Sequence, residues 1–260
     1  RELAVLLVAC IDLAAATLRV SIHRLPGAHA LPLPSYATAG AAGLDVCAAL
    51  EADLEDLFLR VLDERVSPDD AELFRAQMLT EMARMSLDDG LVMQIHPGSF
   101  RNHNAAIHRR FGRDCGADIP TSTDYVRALK PLLDLFGNEA GLSIIVFTLD
   151  ESAYSRELAP LAGHYPALRL GPAWWFHDSP NGLMRFRELT TETAGFYNTV
   201  GFNDDTRAFL SIPARHDVAR RVDAAYLARM VGEHRLQEDE ALEIAADLAY
   251  HLPRRAYRLG

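Results

Sequence analysis

The chain contains 260 residues, 49% hydrophobic and 24% charged, a balance typical of a globular protein and not of a disordered or fibrous one. Its formal net charge of −10 excludes a broad cationic surface, so we do not expect nucleic acid as a partner. A small anion is still compatible with this charge, because a binding pocket needs only one or two well-placed arginines.

The first residues, RELAVLLVACIDLAAA, are apolar. Glu2 and Asp12 interrupt them and leave an apolar core too short for a secretory signal. No run in the chain approaches the roughly 18 to 20 apolar residues of a membrane span. The three cysteines, Cys10, Cys47 and Cys115, show neither CxxC spacing nor a disulfide framework, which favours a reduced compartment. We therefore expect a cytoplasmic protein without a membrane partner.

The predicted elements begin with a β-rich segment. Residues 17–22, TLRVSI, alternate and predict a strand, and the prolines and glycines between 25 and 43 predict a loop that leads to another strand. From Glu51 the periodicity is helical. The sequence SPDD at 67–70 predicts a helix start, because it combines a hydroxyl N-cap, proline at the first position and acids in the first turn. One face of this helix is predicted to be core: Leu73, Phe74, Met78, Leu79, Met82 and Met85.

Apolar runs of strand length then alternate with amphipathic helices. This alternation indicates parallel pairing through right-handed crossovers, and hence an α/β fold that is either a doubly wound sheet or a barrel. The predicted strands are 91–95, 142–148, 167–170 and 196–202. The predicted helices are 124–136, ended by Gly137, and 151–162, 216–233 and 238–252. The residues of the last two helices predicted to face inward are Val222, Tyr226, Met230, Leu242, Ala245 and Leu248.

Polar residues gather where three of these strands end. The strand at 91–95 runs into HPGSFRNHN at 96–104, the strand at 167–170 into GPAWWFHDSPNG at 171–182, and the strand at 196–202 into the polar run NDDTR at 203–207. Each segment has a structural alternative: a hydrogen-bonded histidine, a packed tryptophan pair, or a helix cap built from Asp and Thr. Side chains at the carboxyl ends of parallel strands converge, however, so three polar strand ends in one chain favour a functional site.

At these positions the sequence resembles a known family. VMQIHPGSFRNHN from Val92, GPAWWFHDSPNGLMRF from Gly171 and VGFNDDTRAFLSIPARHDVARR from Val200 are similar to the recognisable stretches of uronate isomerase, in the same order and at similar separations. The resemblance covers about residues 60–260. It implies an amidohydrolase-like (β/α) barrel that interconverts D-glucuronate with D-fructuronate, and D-galacturonate with D-tagaturonate, in hexuronate catabolism. It also implies a divalent metal ion, zinc or manganese.

The same resemblance assigns roles to particular residues. The last barrel strand of the family carries an Asp followed two residues later by an Arg, which implies that Asp205 is the catalytic and metal-binding carboxylate and that Arg207 binds the substrate. Asp204 is the alternative for the acid. These groups suit aldose–ketose isomerisation, because a base must move a proton between neighbouring carbons while charge on the enediol oxygens is stabilised. The other substrate-binding residues implied are His96, Arg101, Trp174 and Trp175.

The chain also departs from the family. Enzymes of this superfamily bring a His-x-His pair from the first barrel strand to the metal, and no His-x-His occurs in this sequence. We therefore expect the metal site to be weakened or lost. Residues 19–54 instead resemble the start of a trimeric dUTP pyrophosphatase, because PSYATAGAAGLD, ending at Asp45, is similar to that family's first motif. Its later signatures are not found, so a glycine-rich β turn without an active site is the alternative for Asp45.

The sequence thus predicts a β and loop segment at 1–54 and a partial, amidohydrolase-like (β/α) barrel at 55–260. The predicted function is uronate isomerase, impaired because the N-terminal half of the barrel is missing. The predicted ligand is a small sugar acid, and a homo-oligomer is compatible with the sequence. Two alternatives stay open: a dUTP pyrophosphatase fragment defined by the first 54 residues, and a non-catalytic fusion product.

Overall fold

A computed structural model describes residues 53–63, 65–204 and 208–259. The strand predicted at 17–22, the loop at 25–43 and the motif ending at Asp45 lie outside the described residues, and so do Asp205 and Arg207. The chain divides into two compact units after Met82. No described helix is both long enough and apolar enough to cross a membrane.

The first unit contains helix α1, Asp53–Leu62, and the start of helix α2, Pro68–Asp89. The predicted start of α2 is confirmed: the Ser67 hydroxyl accepts from the backbone N–H of Asp70 at 3.1 Å, and the Asp70 carboxylate accepts from the backbone N–H of Ser67 at 2.9 Å. These reciprocal bonds satisfy N–H groups that a helix start leaves free. Leu57, Val61 and Phe74 form the buried core of this unit.

The predicted buried face of α2 is only partly right. Phe74 is buried, but Met82 and Met85 are 44% and 56% exposed. Thr80, Ala83 and Ser86 are buried instead. The face that turns inward along the second half of α2 is therefore built from small residues, which a search for large apolar side chains overlooks.

The second unit contains a parallel sheet. Its three strands are β1, Met93–Ile95, β4, Ile144–Val146, and β5, Leu168–Leu170, in the order β1-β4-β5. Ile144 pairs with Met93 on one side and with Leu168 on the other. All three residues of β4 are buried, as expected of the middle strand of a parallel sheet. The predicted α/β class with parallel strands is confirmed.

A short antiparallel pair and one isolated bridge complete the strand contacts. Strand β2, Ser99–Phe100, pairs with β3, Ile119–Pro120. The strand predicted at 196–202 is wrong, because its only pairing among the described residues is a parallel bridge between Thr199 and Leu170. Gly201 has a φ of +74°, which breaks the extended conformation two residues after the bridge.

The helices predicted in the second unit are present, with bounds that differ from the predicted ones at some ends. Helix α4, Tyr125–Phe136, corresponds to the helix predicted at 124–136, and Asp124 caps it, because its side chain accepts from the backbone N–H of Arg127 at 3.0 Å. Gly137 ends α4 but has a right-handed conformation, with φ of −60°. A Cβ at Gly137 would lie 2.5 Å from the carbonyl oxygen of Leu133 and from the Tyr165 ring, so glycine is needed there for space. The remaining helices are α3, Ala105–Phe111, α4, Tyr125–Phe136, α5, Ala159–His164, and α6, Pro180–Ala194.

The last two predicted helices are longer or less regular than expected. Helix α7 begins at Ile212, before the predicted start, and ends at Gly232. The helix predicted at 238–252 is α8, Glu238–Ala246, followed by a π-helical turn at Asp247–His251 and α9, Leu252–Ala256. A second π-helical turn, Tyr154–Leu158, occupies the middle of the helix predicted at 151–162.

The predicted inward faces of α7 and α8 are mostly confirmed. Val222, Tyr226, Met230 and Leu248 are buried. Leu242 is 67% exposed, contrary to prediction. The inward positions of α8 belong to its neighbours Ala241 and Ile244, which pack in the same buried cluster as Tyr226, Leu227 and Met230.

Candidate functional site

The carboxyl ends of the parallel strands place several of the predicted residues along one edge of the sheet. His96 follows β1 directly, Phe147 follows β4, and Trp174 lies four residues beyond β5. The chain after the Thr199 bridge continues in the same direction, because that bridge is parallel to Leu170. Its next polar residues are Asn203 and Asp204.

Aromatic contacts join these strand ends. The ring centroids of His96 and Phe147 are 4.1 Å apart, and those of His96 and Trp174 are 4.8 Å apart in an edge-on arrangement. Trp174 also meets Trp175, with centroids 5.7 Å apart. Edge-on and offset contacts of this kind are the favourable geometries for aromatic rings. The structure therefore brings His96, Trp174 and Trp175 together, although they come from different strand ends.

Arg101 reaches the same cluster from the loop that follows β2. The carbon atom of its guanidinium lies 5.9 Å from the centroid of the Trp175 ring. The Arg101 guanidinium also donates to the Asp118 carboxylate at 3.2 Å, and its side chain is 62% exposed. It thus stands at the rim of the cluster with most of its donors facing solvent, where they are accessible to an anion.

Two features of the cluster indicate constraint. Trp175 has a φ of +54°, which is uncommon for a residue with a large side chain and costs conformational energy. The Nε1 atom of Trp174 is buried and has no hydrogen-bond partner among the described residues. A buried donor without a partner costs roughly 1 to 3 kcal/mol, so such a group is a candidate for contact with a ligand.

The buried Phe147 ring packs against the His96 ring. Phe147 is 1% exposed, and the Tyr125 hydroxyl donates to its carbonyl oxygen at 3.3 Å. Burial raises the pKa of the Tyr125 hydroxyl, which stays protonated and able to donate. Gly171 makes room for the Phe147 ring, because a Cβ there would lie 2.5 Å from it. The position of His96 therefore depends on the small size of residue 171.

An arginine holds two carboxylates beside this cluster. The Nε atom of Arg215, on α7, donates to the Asp204 carboxylate at 2.6 Å, and its Nη2 atom donates to the Asp178 carboxylate. The Asp204 side chain is 2% exposed and the Asp178 side chain 14%. Burial alone would lower the pKa of Arg215, but its hydrogen bonds to Asp204 and Asp178 outweigh burial and raise the pKa.

Two oxygens near this arginine lack partners. The second carboxylate oxygen of Asp204 and the side-chain oxygen of Asn203 are buried without a hydrogen bond from any described residue. Next to them, the His216 ring contacts Phe202 with centroids 4.9 Å apart, and burial lowers the pKa of His216. His216 is therefore neutral near pH 7, while Asp204 keeps an acceptor that a hydroxyl group or a cation would satisfy.

His177 and Glu151 lie at the end of β4, beside a cavity of about 230 Å³ that Asp150 also lines. The Nε2 atom of His177 lies 2.9 Å from the carbonyl oxygen of Leu149, and its Nδ1 atom lies 3.6 Å from the Glu151 carboxylate. Arg185 binds the same carboxylate through two nitrogens, at 3.0 and 3.2 Å. His177 is thus held by protein groups, in keeping with its structural interpretation.

The described residues do not by themselves fit a divalent metal ion. No three His, Cys, Asp or Glu side chains meet anywhere in the described ranges. Asp205, the metal ligand implied by the sequence, lies outside those ranges, and so does Arg207. The roles assigned to these two residues stay predictions.

Arg215 was not predicted to belong to the site, whereas Asp178 and Asn203 lie in the polar strand-end segments 171–182 and 203–207. The signal for Arg215 lay in the segment from Val200, where SIPARHDVARR contains several arginines. Nothing in the spacing distinguishes Arg215 from Arg220 or Arg221, because only the fold shows which of them turns toward Asp204.

Comparisons with known proteins agree on one family. A family model described as glucuronate isomerase matches residues 40–257. A uronate isomerase of Phenylobacterium zucineum is 80% identical over 208 residues, which are 80% of this chain and 43% of that protein. A uronate isomerase of Xanthomonas campestris pv. campestris is 66% identical over 239 residues, 89% of this chain and 51% of that protein. The chain thus spans about half the length of these relatives.

Solved structures give the same result. The crystal structure of glucuronate isomerase from Caulobacter crescentus superposes with a TM-score of 0.77 at 68% identity, over 87% of this chain and 46% of that one. The uronate isomerase of Thermotoga maritima superposes with a TM-score of 0.71 at 26% identity, over 76% and 43%. The family match begins at residue 40, earlier than the expected start near 60, and overlaps part of segment 19–54. The similarity of that segment to dUTP pyrophosphatase stays a prediction.

Proposed function

The chain belongs to the glucuronate isomerase family, and on that premise we propose that it supplies the C-terminal strand ends of a uronate-isomerase site. The substrates are D-glucuronate and D-galacturonate, each converted to its ketose. The observation that supports this most directly is the contact of His96 with Trp174 across the ends of β1 and β5, with Trp175 and Arg101 adjoining. These four residues, which the family resemblance implied, come from two separate segments of the sequence and lie in one cluster.

We also propose that the second unit is part of a (β/α) barrel. Strand β1 has one neighbour in the parallel sheet, β4, so its other edge is free of strands in the part of the chain that the structure describes. Parallel strands are rarely left unpaired, and the curated relatives are about twice as long as their match to this chain. A preceding barrel strand would pair with that edge of β1.

The cluster offers a sugar acid complementary surfaces. The face of a sugar ring carries C–H groups, which pack against the Trp174 and Trp175 rings. Arg101 at the rim presents a guanidinium group, and the family resemblance adds Arg207 as a second one; a guanidinium matches a carboxylate through two parallel hydrogen bonds. The partnerless acceptor of Asp204 would take a hydrogen bond from a sugar hydroxyl. The chemistry of these side chains thus fits a hydroxylated anion better than a neutral sugar.

The reaction assigned to the site is a proton transfer. Asp205 acts as the base that takes the proton from the carbon next to the carbonyl carbon. It then returns this proton to the carbonyl carbon itself. Arg207 fixes the distant carboxylate so that the reacting carbons stand at the base. A divalent metal, zinc or manganese, belongs to this proposal only with Asp205 as a ligand, because the described residues do not complete a metal site. No step is therefore assigned to it.

Changing Arg207 to methionine should weaken binding of D-glucuronate. A charge-assisted hydrogen-bonded pair contributes roughly 1.5 to 3 kcal/mol, so we expect the dissociation constant to rise about 10- to 100-fold. Calorimetric titration of the purified chain measures this constant. Arg221→Met is the control, since Arg221 is an exposed arginine of α7 paired with Asp217. Equal affinities for Arg207→Met and the wild type would exclude the carboxylate-binding role.

The isolated chain should show little or no isomerase activity. The sequence contains no His-x-His, and its match covers about half of the relatives' length, so the metal-binding and catalytic set is expected to be incomplete. A coupled assay of D-glucuronate conversion, with Asp205→Asn as the comparison, measures this. Measurable conversion that Asp205→Asn abolishes would contradict the expectation, and would show that the residues present suffice for the reaction.

A further inference from the structure

We propose that Arg215 is a positioning residue that holds together the two loops on which the sugar-acid site is built. One loop, 171–178, follows β5 and carries Trp174 and Trp175. The other, described at 200–204, follows the Thr199 bridge, and Asp205 and Arg207 come next in the sequence. The role of this contact in binding rests on the function proposed above, whereas the contact itself does not. Arg215 together with Asp178 and Asp204 is called the Arg215 bridge.

The Arg215 bridge uses two of the three nitrogens of the guanidinium. Its Nε atom donates to Asp204 at 2.6 Å, and its Nη2 atom donates to Asp178. Both carboxylates are largely removed from solvent, at 2% and 14% side-chain exposure. Two carboxylates gathered in one place repel each other unless a cation lies between them, and a planar guanidinium with donors in two directions meets both.

Each carboxylate is directly connected to the site. Asp178 follows the 3₁₀ turn Trp175–His177 and is its C-terminal cap residue. Asp204 immediately precedes Asp205 in the chain. Fixing Asp178 therefore fixes the end of the tryptophan loop, and fixing Asp204 fixes the residue before the proposed base.

The support behind Arg215 is rigid. Arg215 lies in the first turn of α7, a helix of 21 residues that buries Ala219, Val222 and Tyr226 further along. Side chains held on a packed helix are positioned more precisely than side chains held on loops. The Arg215 bridge thus connects both loops to α7. Among the described residues, the strand pairing between the two segments is the single bridge of Thr199 with Leu170.

Hydrogen exchange of the full chain tests the bridge without any ligand. In Arg215→Met we expect amide exchange to accelerate about tenfold or more in peptides covering 172–178 and 199–204, because these loops lose their shared anchor. Arg221→Met removes an arginine–aspartate pair from the same helix, between exposed side chains, and should change neither loop. Arg215→Lys keeps the charge but not the fork, so its exchange should be intermediate.

Asp178→Ala separates positioning from general loss of stability. It removes the acceptor of one arm of the bridge only, so exchange should accelerate in 172–178 and stay as in the wild type in 199–204. Acceleration in both loops, or in neither, would overturn the proposal. If Arg215→Met does not fold, this asymmetry still decides the question, since Asp178 lies outside the helices and strands.

Titration with D-glucuronate connects the bridge to the site. We expect Arg215→Met to weaken binding about tenfold, Arg215→Lys to restore part of it, and Arg221→Met to leave it unchanged. Arg215→Met that binds like the wild type would overturn the positioning role. If the wild-type chain binds no glucuronate, the proposed function fails, and the exchange experiment still decides whether the bridge exists.

Discussion

Replacing Asp223 with alanine is expected to destabilise the second unit by about 3 to 5 kcal/mol, because it leaves a buried guanidinium without a counter-charge. Arg187, on α6, donates from Nε and Nη2 to the two oxygens of Asp223, on α7, at 2.7 and 3.1 Å. The Arg187 side chain is only 5% exposed. Its other hydrogen bond, to the Thr199 hydroxyl at 3.5 Å, is too long to compensate.

Urea unfolding followed by tryptophan fluorescence measures this loss, since both tryptophans of the chain, Trp174 and Trp175, belong to the same unit as Arg187. Asp217→Ala is the matched control: it lies on the same helix and also breaks an arginine pair, but with side chains 77% and 50% exposed. We expect it to cost about 0 to 1 kcal/mol. Equal losses for the two variants would refute the buried pair.

Replacing Gly201 with alanine is expected to cost about 2 to 5 kcal/mol and to displace the loop that follows it. The φ of +74° costs a residue with a side chain roughly 1 to 2 kcal/mol. The new methyl group would also lie 2.4 Å from the carbonyl oxygen of Leu248 and 2.7 Å from the Pro253 ring, and such overpacking adds roughly 1 to 3 kcal/mol.

Gly195→Ala separates these two causes. Gly195 has nearly the same backbone angle, a φ of +70°, but no atom within 4 Å of the position of a Cβ. Its replacement should therefore cost only the conformational part, about 1 to 3 kcal/mol for a φ of +70° combined with a ψ of −174°. Urea midpoints of the two variants give the comparison. A loss at Gly201 no larger than the loss at Gly195 would show that the chain at 201 is not in close contact with the 248–253 turn.

Much of the fold could be predicted because local chemistry determines it. The sequence SPDD at 67–70 and Asp124 start helices through hydrogen bonds to their own neighbours, which need no tertiary information. Helix α6 begins with Ser179 and Pro180, the same local signal as Ser67 and Pro68 at the start of α2. The sequence contained that helix start in the same form.

Other features depend on contacts that no local pattern contains. Residues 196–202 are apolar and branched, as in a strand, yet Gly201 must adopt a positive φ to pass the carbonyl oxygen of Leu248. Helix α2 turns Ala83 and Ser86 inward and leaves Met85 exposed, because packing selects side-chain size and position together. The two π-helical turns likewise have no signal in the apolar periodicity.

Some residues of the candidate site could be predicted from the sequence, and others could not. His96, Trp174 and Trp175 were identified from the rule that strand ends converge, together with the family resemblance, and the structure brings them together. Arg215 was not identified, because its partners Asp178 and Asp204 lie in separate loops and are joined only in the folded chain. A contact between two separate loops leaves no periodic pattern in the sequence, so the pattern of residues cannot indicate it.

We propose that the strand ends carrying His96, Trp174 and Trp175 form one site for a sugar acid. The indole N–H signals of Trp174 and Trp175 in the NMR spectrum test this proposal directly. The chain contains two tryptophans, so two indole signals are expected. Added D-glucuronate should shift both signals saturably, and D-glucose, which lacks the carboxylate, should not. Signals that stay unchanged, or that respond equally to both sugars, would contradict a sugar-acid site at these residues.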